Sequence, residues 1–378
     1  MKPLSGLRIV EFDGIGPIPF CSMLLSDLGA EVVRLTRGGG GAWADVGGSV
    51  MHRGRAGVTI DLKNPAAREQ VLSLLEGADG LVEGFRPGVM ERLGLGPDDC
   101  HARNPRLVYG RMTGYGQHGP MANAAGHDIN YISLSGALHA SGDPRSPPVP
   151  ALNLVGDYGG GAMFLAVGML SGLLEVARTG VGRVVDAAMT DGSALLMSLF
   201  YAFRSSGQWE DRRGSNLLDG SAPFYRCYAC ADGRYVAVGA LEPAFFALLL
   251  KGLEIPAGDI VQSDKATWPA MTERFAAAFA TRTRDEWDTV FGGTDACVTP
   301  VLSLDEAPHH PHNRARGSFA ASAGVMQPAP APRFLPEDGC DTIPGPATST
   351  DMEAVTARWK AAVPVQPLVG GIASEAAH

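Results

Sequence analysis

Three short polar stretches interrupt small or apolar surroundings, and each carries a side chain that can move a proton. His127 and Asp128 come directly before a helix-like run. A histidine at a helix start lies at the positive end of the helix dipole, which favours its neutral, proton-accepting form. The alternative is that Asp128 caps the helix beside a histidine satisfied within the core.

Asp157 follows an apolar run and precedes Tyr158 and three glycines, at the start of a long apolar segment. An N-cap aspartate explains this placement simply. Glycines are poor helix formers, however, and a cap does not require them. They make sense if backbone N–H groups must approach an oxyanion or a thioester carbonyl closely, so the pattern favours a functional site.

Glu242 ends an apolar strand and directly precedes Pro243. Its carboxylate has two interpretations: it favours the N-terminus of the next helix, or it is a catalytic group displayed at the tip of an element. The residues alone leave these alternatives open.

A glycine-containing turn after the first strand invites a dinucleotide site, but the match is incomplete. Pro19 stands where the third glycine of that motif is needed for helix–strand packing. The second strand ends near Arg37, which favours a ribose phosphate such as that of CoA or NADP over NAD. A solvated strand-end arginine is the alternative, so this motif decides nothing alone.

Composition narrows the class of protein. The chain has 378 residues, 45% hydrophobic and 19% charged, with a formal net charge of −9. This length predicts two domains, and this composition and charge predict a globular protein rather than a disordered chain or a nucleic-acid binder. The longest apolar run, 161–174, is shorter than a bilayer span and predicts a buried helix, with no membrane partner.

Location and metal content follow from the chain start and the cysteines. The N-terminus runs directly into a strand pattern, without a signal peptide, and the C-terminus carries no peroxisomal address. Six scattered cysteines fit reduced thiols, so we expect a cytoplasmic protein. Cys227 and Cys230 form a CxxC without a second ligand pair, so strand packing is favoured over zinc.

The first half of the chain alternates strand and helix, which predicts a parallel sheet covered by helices. The expected elements are strands at 7–12, 31–35, 58–62, 80–83, 107–111 and 183–187, and helices from the turn at 13–17 through 28, at 65–76, 162–177 and 192–205.

The second half predicts a smaller α+β domain, then an extended connector at 326–348 and a short last helix at 352–361. The expected elements are a hairpin at 224–229 and 234–238 and helices at 243–252, 268–280 and 284–291. The predicted domains are 1–190 for the large domain, 191–220 for a linker helix, 221–310 for the small domain, 311–365 for the return to the large domain and 366–378 for a frayed tail.

The candidate residues His127, Asp157 and Glu242 lie in segments that resemble the class III CoA-transferase superfamily and, within it, the α-methylacyl-CoA racemases. The resemblance covers residues 4 to about 335. Its superfamily marks are 4–11, 28–34, 61–63, 83–88 and 114–117, and its racemase marks are 126–131, 156–161 and 239–243.

The resemblance implies an intertwined homodimer with a Rossmann-like large domain and a small domain between its parts. It implies an active site assembled across subunits, with His127 and Asp157 from one chain and Glu242 from the other. CoA is part of the substrate, and no further cofactor or metal is implied. The implied CoA-binding positions are Arg37, Ile60, Asp61, Leu62, Lys63, Gly84, Phe85, Arg86 and Arg92, with Gly126, Asp128, Ile129, Asn130 and Tyr131 along the acyl end.

One stretch departs from the family pattern. Residues 38–41 and 47–48 are unusually glycine-rich. The run His-Arg-Gly-Arg at 52–55 matches the family's usual Asn-Arg-Gly-Lys-like run only loosely. This departure bears on contacts at the nucleotide end of CoA, while the catalytic positions are intact.

The implied activity is racemisation at C2 of 2-methylacyl-CoA thioesters through an enolate. We expect His127, oriented by Glu242, to serve one face of the carbon and Asp157 the other. Backbone N–H groups at the Asp157 helix start are expected to hold the enolate oxygen.

Two rival functions use the same fold. In a CoA-transferase, Asp157 would attack the thioester as a nucleophile, but such an enzyme needs no base on the opposite face, which His127 supplies. A non-catalytic acyl-CoA-binding protein would keep Arg37 and Arg86 and lose the acid–base residues. The acid–base candidates His127, Asp157 and Glu242 are all present in this sequence.

Overall fold

The computed structural model describes residues 2–38, 48–258, 260–335 and 342–361. Most of the glycine-rich stretch after Arg37 and the whole predicted tail 366–378 lie outside these ranges. The chain forms two compact units, one of residues 1–135, 152–196 and 311–378, the other of residues 136–151 and 197–310. Residues 136–151, which the sequence analysis left in the large domain, thus group with the second unit.

The described residues contain twelve strands. They are β1 Arg8–Phe12, β2 Glu31–Thr36, β3 Arg55–Thr59, β4 Gly80–Glu83, β5 Val108–Thr113, β6 Val184–Ala188, β7 Tyr225–Ala229, β8 Tyr235–Gly239, β9 Val298–Pro300, β10 Phe319–Ser322, β11 Val325–Pro328 and β12 Thr348–Ser349.

The same residues contain fourteen α-helices, a π-helix at Leu154–Ala162 and short 3-10 turns at Lys265–Thr267 and Ala307–His309. The α-helices are α1 Pro17–Asp27, α2 Gly48–Met51, α3 Pro65–Leu75, α4 Val89–Arg92, α5 Pro97–Arg103, α6 Asp128–Ser135, α7 Met163–Thr179, α8 Met189–Leu196, α9 Ser198–Ser205, α10 Pro243–Gly252, α11 Trp268–Phe279, α12 Arg284–Phe291, α13 Pro311–Arg316 and α14 Met352–Ala361.

The first unit is built on a seven-stranded parallel sheet in the order β12-β3-β2-β1-β4-β5-β6. Central strands such as β5 are buried along their whole length, because helices cover both faces of the sheet. This confirms the predicted α/β class. The strand order reverses direction between β1 and β4, which is where ligands bind in sheets of this type.

The third strand lies three residues earlier than predicted. We expected it at 58–62, but β3 spans Arg55–Thr59 and pairs in parallel with β2. Arg55 is fully buried and its guanidinium lies 2.6 Å from the Glu11 carboxylate. A charged residue paired inside the sheet has no signature in local hydrophobicity, so the prediction excluded it.

The long apolar helix differs from its prediction at its start. We expected it at 162–177, with an N-cap as one of two interpretations of Asp157, but the π-helix begins at Leu154 after Asn153 and continues into α7. Asp157 therefore lies inside the helix rather than at its cap. By length and composition, Leu154–Thr179 is the one described helix that could cross a membrane, and 44% of its apolar window is buried.

The second unit contains the antiparallel sheet β7-β8-β9, with α10, α11 and α12 packed on one of its faces. The predicted hairpin is confirmed at Tyr225–Ala229 and Tyr235–Gly239. Its core is aromatic: the Phe279 ring lies 5.0 Å from that of Tyr228 and 5.2 Å from that of Trp287.

Two further expectations were wrong. The predicted single helix at 192–205 is two helices, α8 and α9, separated at Met197. The predicted connector at 326–348 starts inside the β10–β11 hairpin and ends in β12, which extends the large sheet beside β3.

Candidate active site

His127 lies immediately before α6, as the sequence predicted. Its backbone N–H donates to the Asn130 side chain at 3.0 Å, and its carbonyl accepts from the Asn130 N–H at 2.8 Å. These two bonds fix the start of the helix, while the imidazole is exposed and free to meet a substrate.

Asp157 is a partly buried carboxyl group in the first turn of the π-helix. The Asn153 side chain donates to its Oδ2 at 3.1 Å from one turn earlier in the chain. Burial raises the pKa of the Asp157 carboxyl, the Asn153 bond lowers it, the nearby Asp128 raises it and His127 lowers it. The net shift is upward, toward the range in which a carboxyl group can both take and return a proton.

The structure brings the two predicted proton carriers into one site. Asp128, the residue after His127, accepts the Asp157 backbone N–H at 2.7 Å, which joins α6 to the π-helix. The charge of His127 acts on the Asp157 carboxyl. His127 and Asp157 therefore share a neighbourhood, as two carriers that serve one carbon must.

The glycine turn that the sequence analysis set aside also reaches this site. Gly16 precedes α1 with a φ of +68°, and a Cβ built there would lie 2.9 Å from the Asp157 Oδ2. The turn follows β1, at the point where the strand order reverses. Its glycine thus admits a carboxylate, which a search for a phosphate motif could not reveal.

The glycines after Asp157 serve a different purpose from the one predicted. A Cβ on Gly160 would lie 2.5 Å from the Ser193 hydroxyl, and one on Gly161 would lie 2.8 Å from Met189. These glycines let α8 cross the π-helix closely. The Asp157 N–H is also occupied by Asp128, so this amide is not available to the enolate oxygen.

Tyr131 closes the site on the α6 side. Its hydroxyl donates to the Gly126 carbonyl, and its ring meets that of Tyr115 edge-on at 5.0 Å. Burial, together with the nearby Tyr115, raises the pKa of Tyr131 to about 12. Arg86 also acts on this hydroxyl, which places one predicted CoA-binding arginine beside the same helix.

Asn153 and Gly16 are site residues that the sequence analysis missed. The spacing of Asn153 and Asp157, four residues apart, was a usable signal, since such pairs meet on one helix face. The role of Gly16 depends on contact with a distant segment and had no local signal.

Glu242 lies in the second unit, directly before α10, and its side chain is exposed. It makes no side-chain cap bond to that helix. Its position at the N-terminus of α10 fits a carboxylate that stabilises the helix dipole, so both interpretations of Glu242 stay open. Its expected partnership with His127 stays a prediction.

The predicted CoA positions follow the carboxyl ends of neighbouring strands, so they line one edge of the sheet. Arg37 follows β2, the run 60–63 follows β3, and the run 84–86 follows β4. Ile60 and Leu62 are buried, whereas Arg37, Asp61, Lys63, Gly84, Arg86 and Arg92 are exposed. Within the described residues no ion pair neutralises the four exposed cations, which suits an anionic ligand.

The loose run at 52–55 has a structural role. The Arg53 guanidinium binds the Asp27 carboxylate at 2.5 Å and also donates to Gln327 at 2.9 Å. Both Arg53 and Arg55 are buried, so their charges serve the fold and not the nucleotide end of CoA.

The CxxC pair lies within and just after β7, where Cys227 is exposed and Cys230 is buried. Among the residues described, no group of His, Cys, Asp and Glu side chains is arranged to hold a metal ion.

Comparison with known proteins places this arrangement in a family. Residues 4–342 match the profile described as CoA-transferase family III. The chain is 46% identical over 333 residues to α-methylacyl-CoA racemase of Mus musculus, covering 88% of this chain and 86% of the relative. It is 45% identical over 334 residues to the human protein of that name, with the same coverage.

A solved structure shares the fold. The crystal structure of Rv3272 from Mycobacterium tuberculosis is 26% identical to this chain, with a TM-score of 0.76, and covers 94% of this chain and 99% of the other.

Proposed function

We infer that this chain, which belongs to CoA-transferase family III, is an isomerase that interconverts the 2R and 2S epimers of 2-methylacyl-CoA thioesters. The observation that carries this conclusion is the joining of His127 and Asp157 through Asp128. Relatives named as racemases, at the identities given above, support the same reaction.

The chemistry requires a base on each face of C2. The α-proton of a thioester is weakly acidic, so one group must remove it while another returns a proton to the opposite face. An exposed imidazole and a carboxyl group of raised pKa are suited to these two tasks. Both steps are proton transfers, so we propose that the enzyme needs neither a redox cofactor nor a metal.

The enolate oxygen needs hydrogen-bond donors, and the Asp157 amide is already occupied. The Asn130 and Tyr131 amides donate to the His127 carbonyl, so we propose instead the amides of Asp128 and Ile129 at the start of α6. The first N–H groups of a helix have no acceptor within it. They point toward the end of the helix where His127 lies.

We further propose the homodimer that the family resemblance implies. Met163, Val167 and Leu174 lie on one face of α7 and are 45%, 57% and 53% exposed. An apolar helix face of this kind marks an interface. In a shared active site, Glu242 of one chain would orient His127 of the other.

The test is incubation of each epimer of a 2-methylacyl-CoA in deuterated water. We expect deuterium at C2 together with loss of optical purity. Replacing His127 or Asp157 with Ala should lower kcat by at least about a hundredfold, or about 2.7 kcal/mol, if each is a required acid–base group. Retention of hydrogen at saturating enzyme would refute the proposal.

The same experiment separates the transferase alternative. If Asp157 formed an acyl anhydride, hydroxylamine would trap the enzyme in the presence of an acid acceptor, and C2 would keep its hydrogen. Acyl-CoA binding without either result would indicate a non-catalytic protein.

A further inference from the structure

Asp128 presents its carboxylate to the protein interior, not to the site opening. The residue is 6% exposed, and its Oδ1 accepts the Asp157 N–H at 2.7 Å. Its Oδ2 is buried without a hydrogen-bond partner among the described residues. A buried carboxylate that gives one oxygen to a neighbour's backbone and leaves the other unpaired is costly, so it calls for a functional reason.

Gly156 shows that this contact is closely packed. A Cβ built on Gly156 would lie 2.4 Å from the Asp128 Oδ1 and 2.8 Å from its Cγ. No side chain fits between the π-helix and the carboxylate. The residue before Asp157 therefore has to be glycine for Asp128 to reach the Asp157 amide.

We propose that Asp128 is a positioning residue for Asp157, rather than one of the groups that hold CoA. The two carboxyl groups form a unit: Asp128 is fixed in the interior on the Asp157 backbone, and Asp157 is left as the member that exchanges protons with substrate. This proposal rests on the racemase function inferred above.

The charges around Asp157 support this division of labour. Residues in and next to α6 supply Asp128, His127 and Tyr131, and the π-helix itself supplies Asn153. On the α1 side the neighbour is Gly16, which carries no charge. On α8 the acidic residue is Asp191, whose side chain is exposed. After burial, the negative charge of Asp128 is the remaining influence that raises the Asp157 pKa, opposed by Asn153 and His127.

The consequence is a residue that acts without touching the substrate. The Asp128 carboxylate raises the pKa of Asp157, so Asp157 holds more readily the proton that it returns to the enolate. If Asp128 instead belonged to the CoA-binding run 126–131, its loss would weaken substrate binding.

The test is Asp128→Asn, which keeps an oxygen for the Asp157 N–H and removes the charge. We expect kcat to fall about tenfold with KM unchanged. In both reaction directions, the limb of the pH profile that belongs to Asp157 should move to lower pH by about one unit. Asp98→Asn, at an exposed carboxylate of α5, is the matched control and should leave kcat, KM and the profile unchanged.

A second readout does not depend on activity. In protein labelled with ¹³C at the aspartate carboxyl, the Asp157 resonance is assigned by its absence from Asp157→Asn and titrated with and without Asp128→Asn. A lower midpoint in the variant supports the proposal, and an unchanged midpoint overturns it. A raised KM with unchanged kcat also overturns it, in favour of CoA binding.

A further variant disturbs the same contact from the π-helix side. Gly156→Ala keeps the Asp128 charge but displaces the carboxylate, and it should lower kcat while KM holds; wild-type kcat would count against the proposal. If the wild-type enzyme exchanges no hydrogen at C2, the racemase function fails, while the carboxyl titration still decides the role of Asp128.

Discussion

At the scale of single residues, the site depends on groups held in states that cost stability. Asp157 is partly buried with a raised pKa, and Asp128 keeps an unpaired oxygen in the interior. Buried ionisable groups with shifted pKa values are common in active sites, where their protonation state is part of the mechanism. It predicts that removing a catalytic charge makes the protein more stable.

Asp157→Asn should abolish racemisation and raise the melting temperature at neutral pH. Because the folded-state pKa of Asp157 is raised from 3.8, wild type loses stability as the pH rises through that pKa. The variant lacks this loss, so the gap between the two melting temperatures should widen as the pH rises above 3.8 and become constant above the raised pKa. Calorimetry across this range measures it, and a gap independent of pH would contradict the account.

His52 predicts the opposite pH dependence. It is 6% exposed, and burial, helped by Arg34 and Arg55, lowers its pKa from 6.5 to about 4. The stability that it contributes is present above 6.5 and is lost as the pH falls toward 4. His52→Gln should reduce the fall in melting temperature between pH 6.5 and pH 4. The control His118→Gln, at an exposed histidine, should leave this fall unchanged.

At the scale of elements, the sequence predicted the strands and helices that have a clear local pattern of apolar residues. Strands β1, β2 and β4 and helices α10, α12 and α14 fall within two residues of their expected bounds, because their apolar patterns are simple. The π-helix was missed, since an i→i+5 pattern has no distinct local signature. The purpose of Gly160 was mistaken, because close helix crossing and close ligand approach both require glycine.

The crossing of α8 and the π-helix should therefore be sensitive to small changes. A Cβ on Gly192 would lie 1.9 Å from the Gly160 carbonyl oxygen. We expect Gly192→Ala to cost about 1–3 kcal/mol in unfolding free energy and to lower kcat by shifting Asp157. Denaturant unfolding measures the cost. Gly345→Ala, where a Cβ meets no atom within 4 Å, is the control, and equal losses in both would argue against the packing explanation.

At the scale of the whole molecule, the proposed role of Glu242 depends on the proposed dimer. Glu242 lies in the second unit, whereas His127 lies in the first. His127, Asp157 and Glu242 were identified as candidates from the sequence, whereas a partnership between units or chains cannot be read from local patterns.

Coexpression tests this sharing. His127→Ala and Glu242→Ala chains should each be inactive alone. If Glu242 acts across subunits, a mixed dimer contains one site with both groups intact, so differently tagged chains purified together should regain about half of the activity per dimer. No recovery would place Glu242 and His127 in the same chain's site.

The dimer itself can be weakened at α7. We expect Val167→Glu to shift the sedimenting species from a dimer toward a 39.5 kDa monomer, because it places a charge on the apolar face. Ala66→Glu, on the exposed surface of α3, is the control. A monomeric wild type would contradict the proposal.

The central claim is that His127 and Asp157 serve opposite faces of one carbon. The most direct measurement is the early-time isotope content of both epimers, started from either pure epimer in deuterated water. The account predicts deuterium in the inverted product while the remaining substrate keeps its hydrogen, in both directions. It also predicts that His127→Ala stops inversion but leaves exchange with retention for one epimer only, catalysed by Asp157. Equal labelling of substrate and product from the first turnovers, or inversion that survives loss of either residue, would contradict it.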